Sequence, residues 1–131
     1  MIVAVCKQND IGIDIEIVRL IANIEDIALD NFSQPELEYF NYAFDKTTAF
    51  FDIWTRKEAF IKAVGKGIYF PLKSFSVKID PSGNNENLSI PEQPAESDLW
   101  RTIALKTSDN YKAALAVKSD RFNVLYFTYD L

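Results

Sequence analysis

The sequence predicts an α+β fold in which a largely antiparallel sheet packs on one long helix. Strand-like apolar runs lie near both ends of the chain, and one long helical segment lies between them. No repeat, low-complexity tract or linker divides the 131 residues. Strands and helices segregated in this order are typical of a single α+β domain that spans residues 1–131.

Two strand-like segments open the chain. Residues 2–6 (IVAVC) are rich in β-branched side chains, and residues 11–17 (IGIDIEI) alternate apolar and other residues at period two. Residues 7–10 are therefore predicted to form a hairpin loop. Cys6 lies in the first apolar run, where we expect an inert buried thiol.

Two short helices are predicted next. Asn23 is a candidate N-cap for a helix that runs to about Asn31. Ser33 and Glu36 have the spacing of a capping box, with Pro35 in the first turn, where its missing N–H group costs nothing. A second helix should therefore begin after Ser33.

The strongest helical segment runs from about Lys46 to Val64. Asp45 is its expected N-cap, and Gly65 stands where a left-handed C-terminal cap is favoured. The helix should lie across the core, because its large apolar residues share one broad arc: Phe50, Ile53, Trp54, Phe60, Ile61 and Val64.

The chain beyond Pro71 is predicted to contain four more strands and a loop. The strand-like runs are residues 75–79, 100–106, 111–117 and 124–129. The polar stretch 80–98 is expected to be one long loop.

Composition excludes several classes of protein. The formal charge of -5 and the pI near 4.7 argue against binding through nucleic-acid phosphates. No apolar stretch reaches the roughly 18 to 20 residues that span a bilayer, and no export signal is recognisable at the start. A single cysteine gives no sign of an oxidising compartment. From these features together we expect no membrane association and a cytoplasmic location.

The chain contains no histidine. This excludes Ser-His and Cys-His nucleophile pairs, imidazole zinc sites and an imidazole general base within these residues. Catalysis would have to use carboxylates, lysines and a hard metal ion.

Asp14 and Glu16 are the first candidate site. Residues two apart on a strand point to the same face, so the two carboxylates should be neighbours. They form either a solvated strand face or a cradle for a divalent cation, for which oxygen ligands favour Mg²⁺. Gly12, just before them, would allow a ligand or another backbone to approach closely.

The segment WTRKEAFIKAVGKG is the second candidate. Trp54, Glu58 and Lys62 form a row along one helical ridge, where Glu58 and Lys62 could be an ordinary ion pair worth about 0.3 to 0.5 kcal/mol. Lys57 falls near the centre of the apolar arc, so its ammonium either reaches solvent along its aliphatic stem or contacts a phosphate. The glycines of residues 65–67 are explained by a helix end and a turn.

Together these motifs resemble one family. GIDIE, WTRKEAFIKAVGKGI and PLKSFSV, in this order and spacing, resemble the 4′-phosphopantetheinyl transferases of the larger, surfactin-synthetase-activating type. The resemblance runs through essentially the whole chain but corresponds to the C-terminal half of such an enzyme.

The resemblance implies an activity and a role for each site residue. Such enzymes transfer the 4′-phosphopantetheine group of coenzyme A to a serine of an acyl or peptidyl carrier protein and release adenosine 3′,5′-bisphosphate. Asp14, Glu16 and Glu58 match the ligands of Mg²⁺, with Mn²⁺ as a substitute. Lys62 matches the lysine that contacts the transferring phosphate, and Lys57 is a further coenzyme-binding candidate. We expect Glu58 to serve both as ligand and as general base.

The larger enzymes hold coenzyme A between two similar domains, and their N-terminal half supplies basic residues and a Ser-His segment that this chain lacks. The resemblance therefore implies a homo-oligomer or a separate N-terminal half. Two alternatives stay open: a small homotrimeric holo-acyl-carrier-protein synthase, and a non-catalytic module that binds a carrier protein or coenzyme A.

Overall fold

The computed structural model of the chain describes residues 1–65, 71–79 and 86–128, with only the backbone described at residues 86 and 87. One antiparallel sheet has the strand order β1-β4-β3-β2. Its strands are β1 (Ile11–Ile17), β2 (Glu86–Asn87), β3 (Trp100–Leu105) and β4 (Tyr111–Lys118). The predicted α+β class is confirmed.

The helices precede most of the sheet in the chain. They are α1 (Ile24–Asn31), α2 (Gln34–Tyr42), α3 (Lys46–Val64) and α4 (Pro94–Ser97), with a 3₁₀ turn at Leu72–Ser74. The bounds predicted for α3 are confirmed at both ends. No helix in the described ranges has the length and apolar character needed to cross a bilayer.

Local capping signals explain where α2 and α3 begin. The Ser33 backbone N–H donates to Glu36 Oε1 at 2.9 Å, as the capping box predicts. Asp45 accepts a hydrogen bond from the Thr48 backbone N–H at 3.1 Å. Asn23 does occupy the N-cap position of α1, but with a left-handed φ of 60° and no side-chain capping bond.

Gly12 lets β1 and α3 approach to backbone contact. A Cβ atom at Gly12 would lie 2.1 Å from the Ala59 carbonyl oxygen and 2.4 Å from the Ala63 nitrogen. The close approach expected at this glycine is therefore made by the helix backbone. It brings the side chains that follow Gly12 on β1 directly against α3.

The core is built around the aromatic side of α3. Phe50 stacks on Trp54 with ring centroids 5.7 Å apart and packs against Phe32 and Phe40. Of the six residues on the predicted arc, Phe50, Ile53 and Phe60 are buried, and Trp54, Ile61 and Val64 are partly buried.

The burial pattern of β1 is the reverse of an ordinary amphipathic strand. Gly12, Asp14 and Glu16 point toward α3, and the alternate face carries isoleucines. Ile15 and Ile17 are 38% and 50% exposed. The sheet therefore shows an apolar row to its surroundings on the face away from α3.

The N-terminal strand prediction is wrong. Residues 2–6 form no strand, so residues 7–10 are not a hairpin loop, and Cys6 is exposed rather than buried. The physical reason is the lack of a partner: in the described structure β1 pairs with β4 alone, from Ile11 with Val117 to Ile17 with Tyr111, and no strand pairs with residues 2–6. A β-branched run without a partner strand stays irregular.

Predictions for the later strands are partly confirmed. Residues 100–106 and 111–117 correspond to β3 and β4. Residues 75–79 contribute only an isolated bridge, and residues 124–128 form no strand, with residue 129 outside the described ranges. The predicted loop 80–98 contains β2 and α4, while its residues 80–85 lie outside the described ranges.

Candidate functional site

An ion pair between β1 and α3 forms the centre of the candidate site. Lys62 Nζ donates to Asp14 Oδ1 at 2.6 Å. The Asp14 side chain is 4% exposed and the Lys62 side chain 52% exposed. Asp14 is therefore held inside the strand–helix junction, and Lys62 covers it from the solvent side.

The second oxygen of Asp14 is left over. Oδ2 is buried and has no hydrogen-bond partner among the described residues. A buried carboxylate oxygen without a donor costs free energy, so such atoms commonly mark a place where a ligand or ion binds. This oxygen is available to a cation.

Glu16 belongs to the same electrostatic group. Burial, then the charge of the neighbouring Asp14 carboxylate and a side-chain hydrogen bond with it, raise the pKa of Glu16, with Lys62 opposing the change and Glu58 adding to it. The prediction that Asp14 and Glu16 share one face of a strand is confirmed. The solvated-face alternative does not describe Asp14, which is buried.

Glu58 approaches from α3, one turn before Lys62. Burial and then the Asp14 carboxylate raise the pKa of Glu58, and the Lys62 ammonium opposes this. The hydrogen bond to Asp14 is the main cause that raises the pKa of Lys62. We call Asp14, Glu16 and Glu58 the carboxylate cluster, and Lys62 is the lysine that pairs with it through Asp14.

The carboxylate cluster is not arranged as a finished metal site. In the parts of the chain that the structure describes, no three acidic or cysteine side chains converge closely enough to ligate one ion. The donor set nonetheless fits a hard cation, because all its atoms are carboxylate oxygens and one of them lacks a partner.

Lys57 is not brought to the carboxylate cluster. Its side chain is fully buried, and Nζ donates to both Glu36 oxygens and to the Phe75 carbonyl oxygen. The expectation that its ammonium reaches solvent is wrong, and the structure gives it protein partners in place of a phosphate. The Lys57 ammonium can lie on the apolar arc of α3 because its counter-ion, Glu36, lies on the neighbouring helix α2.

The alternative of an intrahelical Glu58–Lys62 ion pair is wrong. The Lys62 ammonium pairs with Asp14, and no Glu58–Lys62 pair within 4.0 Å occurs in the described structure. Gly65 ends α3 with φ 67° and ψ -170°, so the predicted position of the C-terminal cap is confirmed, but its conformation is not the left-handed helical one. Residues 66 and 67 of the GKG turn lie outside the described ranges.

Glu36 is the residue that sequence reasoning undervalued. The sequence indicates only its capping-box role, yet its carboxylate also binds Lys57 and the Val77 backbone N–H. The available signal was Lys57 itself, because a lysine at the centre of an apolar arc requires a buried counter-ion.

Glu58→Gln is expected to raise the free energy of unfolding at neutral pH. The raised pKa of Glu58 means that the folded state favours its protonated form. Its stabilising contribution is therefore complete below the ordinary pKa of glutamate and is lost as pH rises through the folded pKa. The variant should gain over wild type above that range and match it at about pH 4 and below.

Thermal unfolding of both proteins from acid to neutral pH measures this difference. Glu38→Gln, at an exposed position on α2, is the matched control and should show no such pH-dependent gain. A Glu58→Gln variant less stable than wild type at pH 7 would contradict the prediction.

Comparison with known proteins gives a family for this geometry. A family model described as the 4′-phosphopantetheinyl transferase superfamily matches residues 10–116. This range contains all three members of the carboxylate cluster and Lys62.

Two curated relatives show how much of a longer protein the chain resembles. It is 34% identical over 119 residues to the 4′-phosphopantetheinyl transferase HetI of Nostoc sp., a match that covers 87% of this chain and 47% of HetI. It is 39% identical over 94 residues to the 4′-phosphopantetheinyl transferase Sfp of Bacillus subtilis (strain 168), covering 70% of this chain and 40% of Sfp. The chain spans less than half the length of these relatives.

Solved structures share the fold. The holo-[acyl-carrier-protein] synthase of Neisseria meningitidis superposes with a TM-score of 0.63 at 22% identity, covering 85% of this chain and 98% of that chain. The corresponding Thermotoga maritima protein gives a TM-score of 0.65 at 19% identity, covering 86% and 64%.

Proposed function

Since the chain belongs to the 4′-phosphopantetheinyl transferase superfamily, we propose that it carries out the metal and phosphate chemistry of phosphopantetheine transfer. The group would pass from coenzyme A to a serine of an acyl or peptidyl carrier protein. The observation that carries this proposal is the meeting of Asp14, Glu58 and Lys62 at the β1–α3 junction, where Asp14 Oδ2 has no described partner.

The carboxylate cluster is the proposed Mg²⁺ site. Asp14, Glu16 and Glu58 would supply carboxylate oxygens, and Mn²⁺ would be accepted by the same donor set. When bound, the ion would gather the pyrophosphate oxygens of coenzyme A and offset their charge. With few protein ligands, affinity should be weak until the pyrophosphate is also present.

Glu58 is the proposed general base. Its carboxylate lies near Asp14 and Lys62 at the β1–α3 junction, and a carboxylate in that position can accept a proton from an arriving hydroxyl group. The serine oxygen would form a bond to the phosphorus that carries pantetheine, and the bond from that phosphorus to the bridging oxygen would break. The hydroxyl proton passes to Glu58, and adenosine 3′,5′-bisphosphate leaves.

Lys62 is proposed to neutralise charge on the transferring phosphate. Its ammonium is held at Asp14 while half of its side chain faces solvent, so it can reach an arriving anion. Charge neutralisation and positioning are the main requirements of phosphoryl transfer. A compact ammonium suits this role.

The site is proposed to be completed by an N-terminal half or by a second copy of the chain. The relatives are about twice as long, and the face of the sheet away from α3 carries the half-exposed Ile15 and Ile17 beside Tyr111. An apolar row of this kind is typical of a surface that another domain covers. A basic partner surface would also offset the net charge of -5 toward anionic substrates.

The test is mass spectrometry of an apo carrier protein incubated with coenzyme A and Mg²⁺. The chain is assayed alone and joined to the N-terminal half of a relative such as Sfp. We expect a mass gain of one phosphopantetheine with the joined protein and its loss in Asp14→Asn. Activity of the unjoined chain as a trimer would support the small holo-synthase alternative.

A matched variant separates loss of chemistry from loss of fold. Asp52→Asn removes another α3-associated carboxylate, one that pairs with Lys112 outside the carboxylate cluster, and should leave transfer intact. If the joined wild-type protein binds coenzyme A but never modifies the carrier, the chain is a binding module and the proposed reaction is wrong.

A further inference from the structure

A second ion pair, fully buried, lies on the side of α3 that faces α2. Lys57 Nζ is 2.8 Å from Glu36 Oε1 and 3.0 Å from Oε2, and the two side chains are 0% and 1% exposed. The third donation of the ammonium goes to the Phe75 carbonyl oxygen at 2.8 Å. All three ammonium hydrogens therefore have acceptors.

Glu36 is equally well satisfied. Besides Lys57, it accepts from the Ser33 N–H at 2.9 Å and from the Val77 N–H at 2.7 Å. One carboxylate thus joins the start of α2, the middle of α3 and the segment 75–77. This geometry ties three separate parts of the chain to one point.

Burying this ion pair in the core carries a desolvation cost that apolar side chains would not have. Burial lowers the pKa of Lys57, and the Glu36 carboxylate opposes that change, so the charged form depends on its partner. Replacing a buried ion pair by well-packed apolar residues is often neutral or stabilising. Apolar contacts are not directional, so they do not fix a helix at one rotation about its axis or at one position along it.

The rotation of α3 about its axis matters because Lys57 and Glu58 are consecutive residues on this helix. They point about 100° apart, so the rotation that brings Lys57 to Glu36 also sets where Glu58 and Lys62 lie relative to β1. On the β1 side, the backbone contact at Gly12 allows no slack. The helix is held from both sides.

We infer that Glu36 and Lys57 are positioning residues for the proposed transfer reaction: their buried ion pair fixes the rotation of α3 that presents Glu58 and Lys62 to Asp14. This inference rests on the proposed function for its kinetic consequence. Neither residue touches the reacting groups in this assignment.

The experiment compares Lys57→Met with the double variant Glu36→Gln/Lys57→Met. The single change leaves a buried carboxylate without its counter-ion and should lower Tm by roughly 10 °C or more. The double variant carries neither charge and should recover at least half of that loss. The exposed pair Lys46–Glu25, 4.0 Å apart, provides a matched double control, Glu25→Gln/Lys46→Met, which should change nothing.

Two readouts separate positioning from mere stability. Mn²⁺ affinity, measured by electron paramagnetic resonance on the joined protein, should fall about tenfold or more in the double variant although Tm recovers. Its kcat for transfer should fall more than its KM for coenzyme A rises. Nuclear Overhauser contacts between Lys62 and β1 should weaken.

Wild-type Mn²⁺ affinity together with wild-type Lys62 contacts in the double variant would overturn the inference, as would an unchanged Tm in Lys57→Met. If wild type itself binds no Mn²⁺, the proposed function fails, and the Lys62 contacts alone decide the positioning role. If the double variant does not fold, Lys57→Arg replaces it. This variant keeps the positive charge but changes the geometry of the donor group. Wild-type Mn²⁺ affinity in Lys57→Arg would overturn the inference. If wild type binds no Mn²⁺, wild-type Lys62 contacts in Lys57→Arg would overturn it.

Discussion

We expect Lys62→Ala to lower the turnover of the joined protein by about 100-fold or more, the size of losing one preorganised transition-state contact. The change removes the only cation bound to Asp14 in the described structure and the group proposed to meet the transferring phosphate. Steady-state transfer to a carrier protein at saturating coenzyme A measures the loss. Lys62→Arg should fall between alanine and wild type, because a guanidinium keeps the charge without the compact geometry.

Stability distinguishes this loss from a structural one. Half of the Lys62 side chain faces solvent, so water can replace the ammonium at Asp14 Oδ1, and we expect a stability loss below about 2 kcal/mol. Lys46→Ala, at a lysine on the same helix with a weak surface contact, should keep full turnover. Wild-type turnover in Lys62→Ala would leave this residue as a cover for Asp14 with no part in transfer.

Gly12→Ala should destabilise the fold by at least about 3 kcal/mol, at the upper end of the range for overpacking. The added methyl group would overlap the Ala59 carbonyl oxygen and the Ala63 nitrogen. Both are backbone atoms of α3 and have no rotamer to change, so β1 and α3 must separate. Urea denaturation of both proteins measures the difference, and separation should also weaken the Asp14–Lys62 contact.

Gly65→Ala is the matched control for removing a glycine. Its φ of 67° with ψ -170° strains an alanine by about 1 to 3 kcal/mol, but the nearest atom to the new methyl group is the Lys62 carbonyl oxygen at 3.5 Å. Gly12→Ala should therefore cost more than Gly65→Ala. The reverse order would show that the β1–α3 approach tolerates an extra atom.

Sequence alone was sufficient where the determining contacts are local. Both bounds of α3 were predicted because Asp45 and Gly65 act within one turn of the ends that they cap. The capping box at Ser33 was predicted for the same reason. In each case the partner is three or four residues away, where spacing determines contact.

Strands could not be predicted with the same success because their partners are distant in sequence. Residues 2–6 and 124–128 have strand-forming side chains and no strand. Their composition is no poorer than that of β4, which differs in having a hydrogen-bonded neighbour on each side. Pairing of this kind is a property of the whole fold.

The candidate site was predicted in two parts. Period-two alternation placed Asp14 and Glu16 on one face, and that part follows from local geometry. Their meeting with Glu58 and Lys62 spans more than forty residues and was supplied by the family resemblance. Lys57 was misplaced because its partner Glu36 already had a local explanation.

The strand that carries Asp14 and Glu16 is also an outer strand of its sheet. β1 pairs only with β4, so its other edge presents backbone donors and acceptors without a strand partner in the described structure, next to the exposed Ile15 and Ile17. An apolar, unprotected edge is a template for cross-β aggregation between chains. A domain or second copy that covers β1 would therefore also protect against aggregation. Without it, aggregation through this edge would involve the strand that carries Asp14 and Glu16.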